Sequence, residues 1–217
     1  MQKTAFVNID LDFFSKPVYS GCSYIEKDYL SPNQYRSQAK TWMRTDAVIS
    51  DILFDKKIRG ASFASDKQII SHLNKVKRES IIEEQYTLVN IDAHLDLFPF
   101  YAPDQYINKG VYSNQDWLIY PFYEKLIREA VWVHPNLTDD ELKKQIKNLH
   151  FKHHYDDRMR RLEVFSEISN MTIWFISWSD LMIQNYDIKY LTLTLNSHMT
   201  TINSDSLEPL RKRIKEY

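Results

Sequence analysis

Potential metal ligands stand at regular spacing in two short segments of the chain. Asp10 and Asp12 follow one apolar run, and Asp92, His94 and Asp96 follow another. If each segment stays extended, alternation puts its ligands on one face. Burying several carboxylates together is costly without a counter-charge, which metal ions commonly supply. The spacing therefore predicts that these side chains bind metal.

The five side chains indicate which metal chemistry to expect. Four carboxylates balance the charge of two divalent ions, and oxygen-rich ligands favour Mn²⁺, with Fe²⁺ or Zn²⁺ as alternatives. Two ions about 3.5–4 Å apart can lower the pKa of a shared water and generate a hydroxide nucleophile. A lone Asp-x-Asp more often caps a helix, so the prediction of a dinuclear hydrolase depends on both segments occurring in one chain.

Short apolar runs rich in β-branched and aromatic residues alternate with helical patterns along the chain. The predicted strands are residues 5–9, 86–91, 130–133, 172–176 and 190–195. The predicted helices are residues 35–56 and 66–78, a helix from Thr138 with a capping box to Glu141, and residues 206–216. This alternation predicts one α/β domain over 1–217, with a parallel or mostly parallel sheet covered by helices on both faces. In such sheets ligands bind beyond the carboxyl ends of the strands, where both acidic segments fall.

Composition and charge exclude several other classes. With 28 Lys and Arg against 29 Asp and Glu, the chain lacks the basic excess of a nucleic-acid binder. Its single cysteine, Cys22, fits a reducing cytoplasm. No apolar stretch could span a membrane, and the acidic start, residues 1–12, is unlike a signal peptide. The charged run 152–161, with His153 and His154, predicts a solvated helix or loop. Oligomeric state is not predicted.

The two acidic segments carry a family resemblance. Asp92-Ala93-His94-Leu95-Asp96 resembles the DAHxD signature of the arginase/deacetylase superfamily, and Ile9-Asp10-Leu11-Asp12 resembles its other metal motif. Their order is reversed relative to ordinary arginases, which implies a permuted or differently connected sheet. With 10–14, 114–117 and 131–135, the chain is similar to a divergent arginase-like family. Characterised bacterial members of that family are peptide arginases, which convert arginine to ornithine in ribosomally made peptides.

This resemblance implies a three-layer arginase-like fold and a distribution of ligands. Asp92 would bridge both ions, Asp96 would complete one, and His94 would bind the other. Asp10 and Asp12 would contribute from the facing strand, one of them bridging. A metal-bridging hydroxide would attack the guanidinium carbon of an arginine in a precursor peptide, which would release urea and leave ornithine.

One position departs from the family pattern. Ordinary arginases carry a further histidine ligand upstream of DAHxD, and here Lys67, within the stretch 65–68, occupies the corresponding position. Asp66 or His72 could replace that ligand, or one metal site could be weak. A replacement ligand would keep a full dinuclear site, whereas a weak metal site would reduce activity.

Further residues are candidates for catalysis or substrate binding. His134 ends a predicted strand and is a candidate proton donor to the leaving amine, and His198 has a similar place after the last predicted strand. Asn114 and Asp116 could contact a guanidinium, since a carboxylate suits its paired donors, or could cap a helix ahead of Trp117.

Two other functions compete with the peptide arginase. A single-zinc deacetylase of the same superfamily would need fewer ligands, so Asp96 and the complete Asp10–Asp12 pair argue against it. A non-catalytic member that binds peptide or metal is supported by Lys67. The number of bound ions would separate these possibilities.

Overall fold

The computed structural model describes residues 2–16, 40–41, 58–64, 67–79, 85–97, 117–147, 149, 152–165, 170–194 and 214–216. Most of these residues belong to one nine-stranded sheet. Its strands are β1 (Lys3–Asp10), β4 (Ile58–Phe63), β5 (Tyr86–Ile91), β6 (Ile127–His134), β7 (Lys152–Asp156), β8 (Arg161–Phe165), β9 (Asn170–Ser177), β10 (Tyr186–Thr194) and β11 (Ile214–Glu216). Two short strands, β2 (Ser15–Lys16) and β3 (Lys40–Thr41), pair separately.

The sheet is mixed, with spatial order β11-β4-β10-β1-β5-β6-β9-β8-β7. The seven strands from β11 to β9 pair in parallel with their neighbours. The last two, β8 and β7, add to β9 as an antiparallel hairpin. Because β1 and β5 are neighbours in the parallel part, their carboxyl ends lie at the same edge.

Three α-helices accompany this sheet in the described part of the chain: α1 (Lys67–Arg78), α2 (Ile119–Tyr123) and α3 (Asp139–Lys147). The predictions for α1 and α3 are confirmed. Thr138 starts α3 with the expected capping box, because Glu141 Oε2 accepts the Thr138 backbone N–H at 2.7 Å and Thr138 Oγ1 accepts that of Glu141 at 3.3 Å. Short 3₁₀ turns cover Leu11–Phe14, Trp178–Asp180 and Ile183–Asn185. Among the helices described, none is long and apolar enough to cross a membrane.

The central strands bury both faces, so two apolar clusters form. The first core contains Phe6, Leu88, Trp132 and Tyr190 together with the inward face of α1. Phe6 is stacked between Tyr86 and Tyr190, with ring centroids 5.9 and 5.3 Å away. The second core, on the opposite face, is built from alternate residues of the same strands, namely Val7, Ile9, Val89, Ile91, Val131, Val133, Leu191 and Leu193.

The expected three-layer fold, a mostly parallel sheet flanked by helices, is wrong. The described residues form a mixed sheet with few helices. Where a solvated helix or loop was expected at 152–161, residues 152–165 form the β7–β8 hairpin instead. Its turn is stabilised by Asp156, whose Oδ1 accepts the backbone N–H groups of Arg158 and Met159 at 3.0 and 3.1 Å.

Two predicted helices also differ from the structure where they can be compared. In the closing helix predicted at 206–216, residues 214–216 are strand β11, paired with β4. In the helix predicted at 35–56, residues 40–41 are strand β3. The remaining residues of both segments lie outside the described part. Each predicted strand is present, although several begin earlier than expected and residue 195 lies outside the described part; β4 was not predicted.

Candidate functional site

Two acidic residues, Asp10 and Asp92, emerge side by side at the carboxyl edge of the sheet. Ile9 of β1 is the register partner of Ile91 of β5, so the residues that follow them are level on neighbouring strands. Both carboxylates are buried, each with only 1% of its surface exposed. The two acidic segments therefore meet at this edge through Asp10 and Asp92.

These carboxylates belong to a longer line of polar residues, which we call the polar row. It follows the carboxyl ends of five adjacent strands and consists of Thr194, Asp10, Asp92, His134 and Ser177. Asp10 is the register partner of Thr194, and His134 that of Ser177. The Asp92 backbone N–H donates to the Val133 carbonyl at 3.2 Å, which keeps Asp92 level with the end of β6. Alternation along β1, β6, β9 and β10 places their members of the row on the first-core face.

Asp92 is held by several donors. Its Oδ1 accepts the backbone N–H of His94 at 2.8 Å, and its Oδ2 accepts the Asn90 side-chain amide at 3.2 Å. The Asp92 carbonyl oxygen accepts the indole N–H of Trp132 at 2.9 Å. The imidazole Nδ1 of His94 lies 3.8 Å from Asp92 Oδ1. These contacts fix the carboxylate at the edge, where it could face a bound cation.

The chain does not stay extended after Ile91, as the alternation argument had assumed. It bends at Ala93 and His94, because the Asp92 carboxylate captures the His94 backbone N–H in a local turn. The burial of Leu95 and Leu97 in the first core continues this altered path. The turn, rather than strand alternation, therefore sets the positions of His94 and Asp96 relative to Asp92.

Asp96 lies in this bent segment, and its backbone has a positive φ of 52°. Its Oδ2 accepts the indole N–H of Trp117 at 2.6 Å, and Trp117 is fully buried just before α2. Asp96 is 5% exposed and His94 8% exposed, so both side chains are buried. The left-handed conformation is tolerated best by Gly, Asn and Asp, which suits an aspartate there.

His134 is fully buried, and its ring is oriented by the turn that follows β6. The backbone N–H of Leu137 donates to Nδ1 at 3.0 Å, so the neutral ring carries its proton on Nε2. That Nε2 finds no hydrogen-bond partner within the described part of the chain. Burial, together with the nearby Arg160 charge, lowers the pKa of His134 to about 4. The ring is therefore a neutral hydrogen-bond donor at pH 7, which does not suit the expected role of proton donor.

Other predicted site residues are placed less completely. Asp12 lies in the 3₁₀ turn after β1, and its side chain is outside the description. Asn114, Asp116 and His198 also lie outside the described residues, so their proposed substrate contacts stay predictions.

The position of His72 argues against the alternative that it replaces the missing histidine ligand. His72 lies on α1, and its Nδ1 is 3.1 Å from the Tyr190 hydroxyl. Tyr190 precedes Thr194 by four residues on β10, so this contact lies away from the polar row. His72 is partly buried, and its ring lies against Phe63 and Tyr190, two residues of the first core. Lys67 begins α1, and Asp66 lies outside the described residues.

The donor types fit divalent cations. Asp10, Asp92 and Asp96 supply carboxylates and His94 an imidazole, all buried at one edge. Carboxylate oxygens and imidazole nitrogens are ordinary ligands of Mn²⁺, Fe²⁺ and Zn²⁺ in proteins. In the described conformation, no three His, Cys, Asp or Glu side chains converge as a metal-binding group. Metal binding would therefore involve side-chain adjustment or residues outside the description.

Comparison with known proteins gives no family assignment. The sequence matches no family model and no curated protein. The arginase-like resemblance therefore depends on the motifs themselves and stays a prediction.

The sequence-based predictions did not include Asn8 and Asn90, the polar residues next to the acidic ones. A repeated sequence pattern could have identified them. The tetrapeptide Val-Asn-Ile-Asp occurs twice, at 7–10 and 89–92. In the sheet the first three residues of the two copies are register partners on neighbouring strands, which aligns Asn8 with Asn90. Asparagine is uncommon inside apolar strands, so its presence in both copies indicates a specific role at positions 8 and 90.

Proposed function

We propose that this chain is a divalent-metal-dependent amidinohydrolase that hydrolyses arginine side chains within a peptide to ornithine and urea. The observation that carries the proposal is the side-by-side burial of Asp10 and Asp92 on neighbouring parallel strands, with His94 beside them. A cation bound at this edge would offset the cost of burying two carboxylates side by side. The resemblance of both motifs to the arginase-like family supplies the reaction.

The ions would be held by Asp10, Asp12, Asp92, His94 and Asp96, the residues that match the family motifs. Mn²⁺ is the preferred metal because oxygen donors dominate, with Fe²⁺ or Zn²⁺ as alternatives. When bound, paired ions would supply a water activated for attack at neutral pH.

The protein's own groups would bind and orient the substrate. Asn114 and Asp116, the candidate substrate contacts, would bind the guanidinium, while the depth of the metal ligands in the fold would limit access of bulk water. In the overall reaction, water oxygen bonds to the guanidinium carbon, the bond from that carbon to the ornithine nitrogen breaks, and the leaving nitrogen gains a proton.

His134 would serve this reaction as a hydrogen-bond donor. It stands on the strand next to Asp92, about 4.8 Å across in a regular sheet. Its Nε2–H needs an acceptor, and the oxygen added to the guanidinium carbon provides one, whereas the guanidinium itself offers only donors. Because the ring is neutral, the leaving nitrogen would receive its proton from another group, such as the reacting water.

The same donor supports a second candidate, a deacetylase-like amidohydrolase. A substrate amide carries a carbonyl oxygen that His134 Nε2–H could bind before any reaction. A single ion would suffice for that chemistry. A non-catalytic peptide binder, suggested by Lys67, is the third possibility.

The test is a product assay with Mn²⁺ on three substrates: an arginine-containing peptide, free arginine and an acetyl-lysine peptide. Urea and a peptide-bound ornithine are expected from the first substrate only. Asp92→Asn should abolish the product, and Asp157→Asn, on the exposed hairpin, should not. Acetate from the third substrate would favour the deacetylase. No product with any substrate would refute catalysis on these substrates and favour the peptide binder.

A further inference from the structure

Two fully buried asparagines lie side by side in the middle of the sheet. Asn8 on β1 and Asn90 on β5 are register partners, and each has no exposed surface. Burying a side-chain amide without hydrogen-bond partners is strongly unfavourable. Both positions therefore need a complete set of partners, and what those partners are indicates their role.

The partners form one chain that ends on Asp92. Thr192 Oγ1 donates to Asn8 Oδ1 at 2.7 Å, and Asn8 Nδ2 donates to Asn90 Oδ1 at 2.8 Å. Asn90 Nδ2 then donates to Asp92 Oδ2 at 3.2 Å. The chain crosses three neighbouring strands, β10, β1 and β5, just below the polar row.

The carboxylate sets the direction of this chain. An ionised Asp92 only accepts, so Asn90 must turn its NH₂ group towards it and its oxygen towards Asn8. Asn8 must then offer its NH₂ group to Asn90 and its oxygen to Thr192. Both amide orientations follow from the network and the charge at its end. Dipoles aligned in this way strengthen one another at the carboxylate.

We infer that Asn90, backed by Asn8, is a positioning residue that fixes the Asp92 carboxylate for metal binding. The inference rests on the proposed function. Asn90 holds one Asp92 oxygen, and the His94 backbone N–H holds the other at 2.8 Å, so the carboxylate plane is fixed from two sides. Groups that orient a metal ligand in this manner typically change metal affinity by about 10- to 100-fold when removed.

The order of contacts predicts a graded effect. Asn90 contacts Asp92 directly, whereas Asn8 reaches Asp92 only through Asn90, and Thr192 only through Asn8 and Asn90. Metal affinity should therefore fall most in Asn90→Leu, less in Asn8→Leu and least in Thr192→Val. A merely structural role would instead lower thermal stability and leave the affinity of the folded protein for metal unchanged.

The experiment is calorimetric titration of the full chain with Mn²⁺ alone, with thermal unfolding measured on the same samples. Asn90→Leu is expected to weaken Mn²⁺ binding at least about tenfold. Thr87→Val is a control on the same strand, matched in type to Thr192→Val, because it removes a buried hydroxyl that donates to Glu129 Oε1 at 3.1 Å, far from the edge. The control should bind Mn²⁺ like the wild type.

Thr192→Val removes only one hydroxyl, so it provides a second test of the inference if Asn90→Leu does not fold. It should weaken binding about two- to threefold, and in the double variant with Asn90→Leu it should add nothing, because its effect passes through Asn90. Wild-type affinity in folded Thr192→Val and Asn90→Leu would overturn the inference alone. A wild-type chain that binds no Mn²⁺ would overturn the proposed function as well.

Discussion

The indole nitrogen of Trp117 donates a 2.6 Å hydrogen bond to Asp96 Oδ2, with both side chains buried. This bond ties the segment before α2 to the second acidic motif. Any ion that binds Asp96 therefore changes the surroundings of a tryptophan.

Tryptophan fluorescence should report metal binding through this contact. Adding Mn²⁺ to metal-free protein is expected to change the emission, and Trp117→Phe should remove much of that change. The same variant loses a ligand-orienting bond, so its Mn²⁺ affinity should fall about tenfold. A fluorescence titration measures the first effect, and a calorimetric titration of the variant measures the second.

Trp174→Phe is the matched control for that titration. Trp174 donates to Glu129 Oε2 at 3.0 Å and packs against the second core, on the other face of the sheet. Its removal should leave the Mn²⁺-dependent change intact. An unaltered response in Trp117→Phe would argue that Asp96 does not bind the ion.

Two histidine variants should differ in metal content. His94→Ala removes a proposed ligand and is expected to lower bound Mn²⁺ and turnover by orders of magnitude. His72→Ala removes a core contact to the Tyr190 hydroxyl, costing about 1–3 kcal/mol of stability with no loss of metal. Elemental analysis after dialysis measures the first effect, and chemical denaturation the second. Equal metal content in the two variants would contradict the assignment of His94.

Stability should depend on pH through His134. Its pKa is lowered from 6.5 to about 4, so between these values the unfolded chain binds more protons than the folded chain. The free energy of unfolding should therefore fall as pH drops through this window, by about 3 kcal/mol in total from this one group. Its contribution is fully present above pH 6.5.

His134→Gln should flatten that part of the pH profile, measured by urea denaturation of the metal-free chain. If the slope of His134→Gln matched the wild type between pH 4 and 6.5, the buried neutral ring would be the wrong description.

The strands and the meeting of two acidic residues could be predicted because they depend on local pattern. Residues 86–91 are apolar and β-branched, and β5 has the predicted bounds. Once two such strands are parallel neighbours, Asp10 and Asp92 must meet at one edge. The repeated tetrapeptide was the sequence feature from which the register that pairs Asn8 with Asn90 could have been predicted.

The rest depended on interactions that local pattern does not contain. The bend after Asp92 is made by one side chain capturing a backbone N–H, which competes with extension. In the charged run 152–161 the polar residues occupy an edge strand, where charges are common because they discourage further pairing. The helix-flanked fold was predicted from the alternation of strands and helices and from the arginase-like resemblance. The mixed sheet contradicts that predicted fold.

The most direct test of the central claim is metal stoichiometry. Wild-type protein, Asp92→Asn and Asp157→Asn would be dialysed against Mn²⁺ and analysed for metal per chain. The wild type and Asp157→Asn should each hold two ions, and Asp92→Asn should lose both or nearly both, since Asp92 is the proposed bridge. Wild-type protein without bound ions, or Asp92→Asn with a full complement, would contradict a metal site at this edge of the sheet.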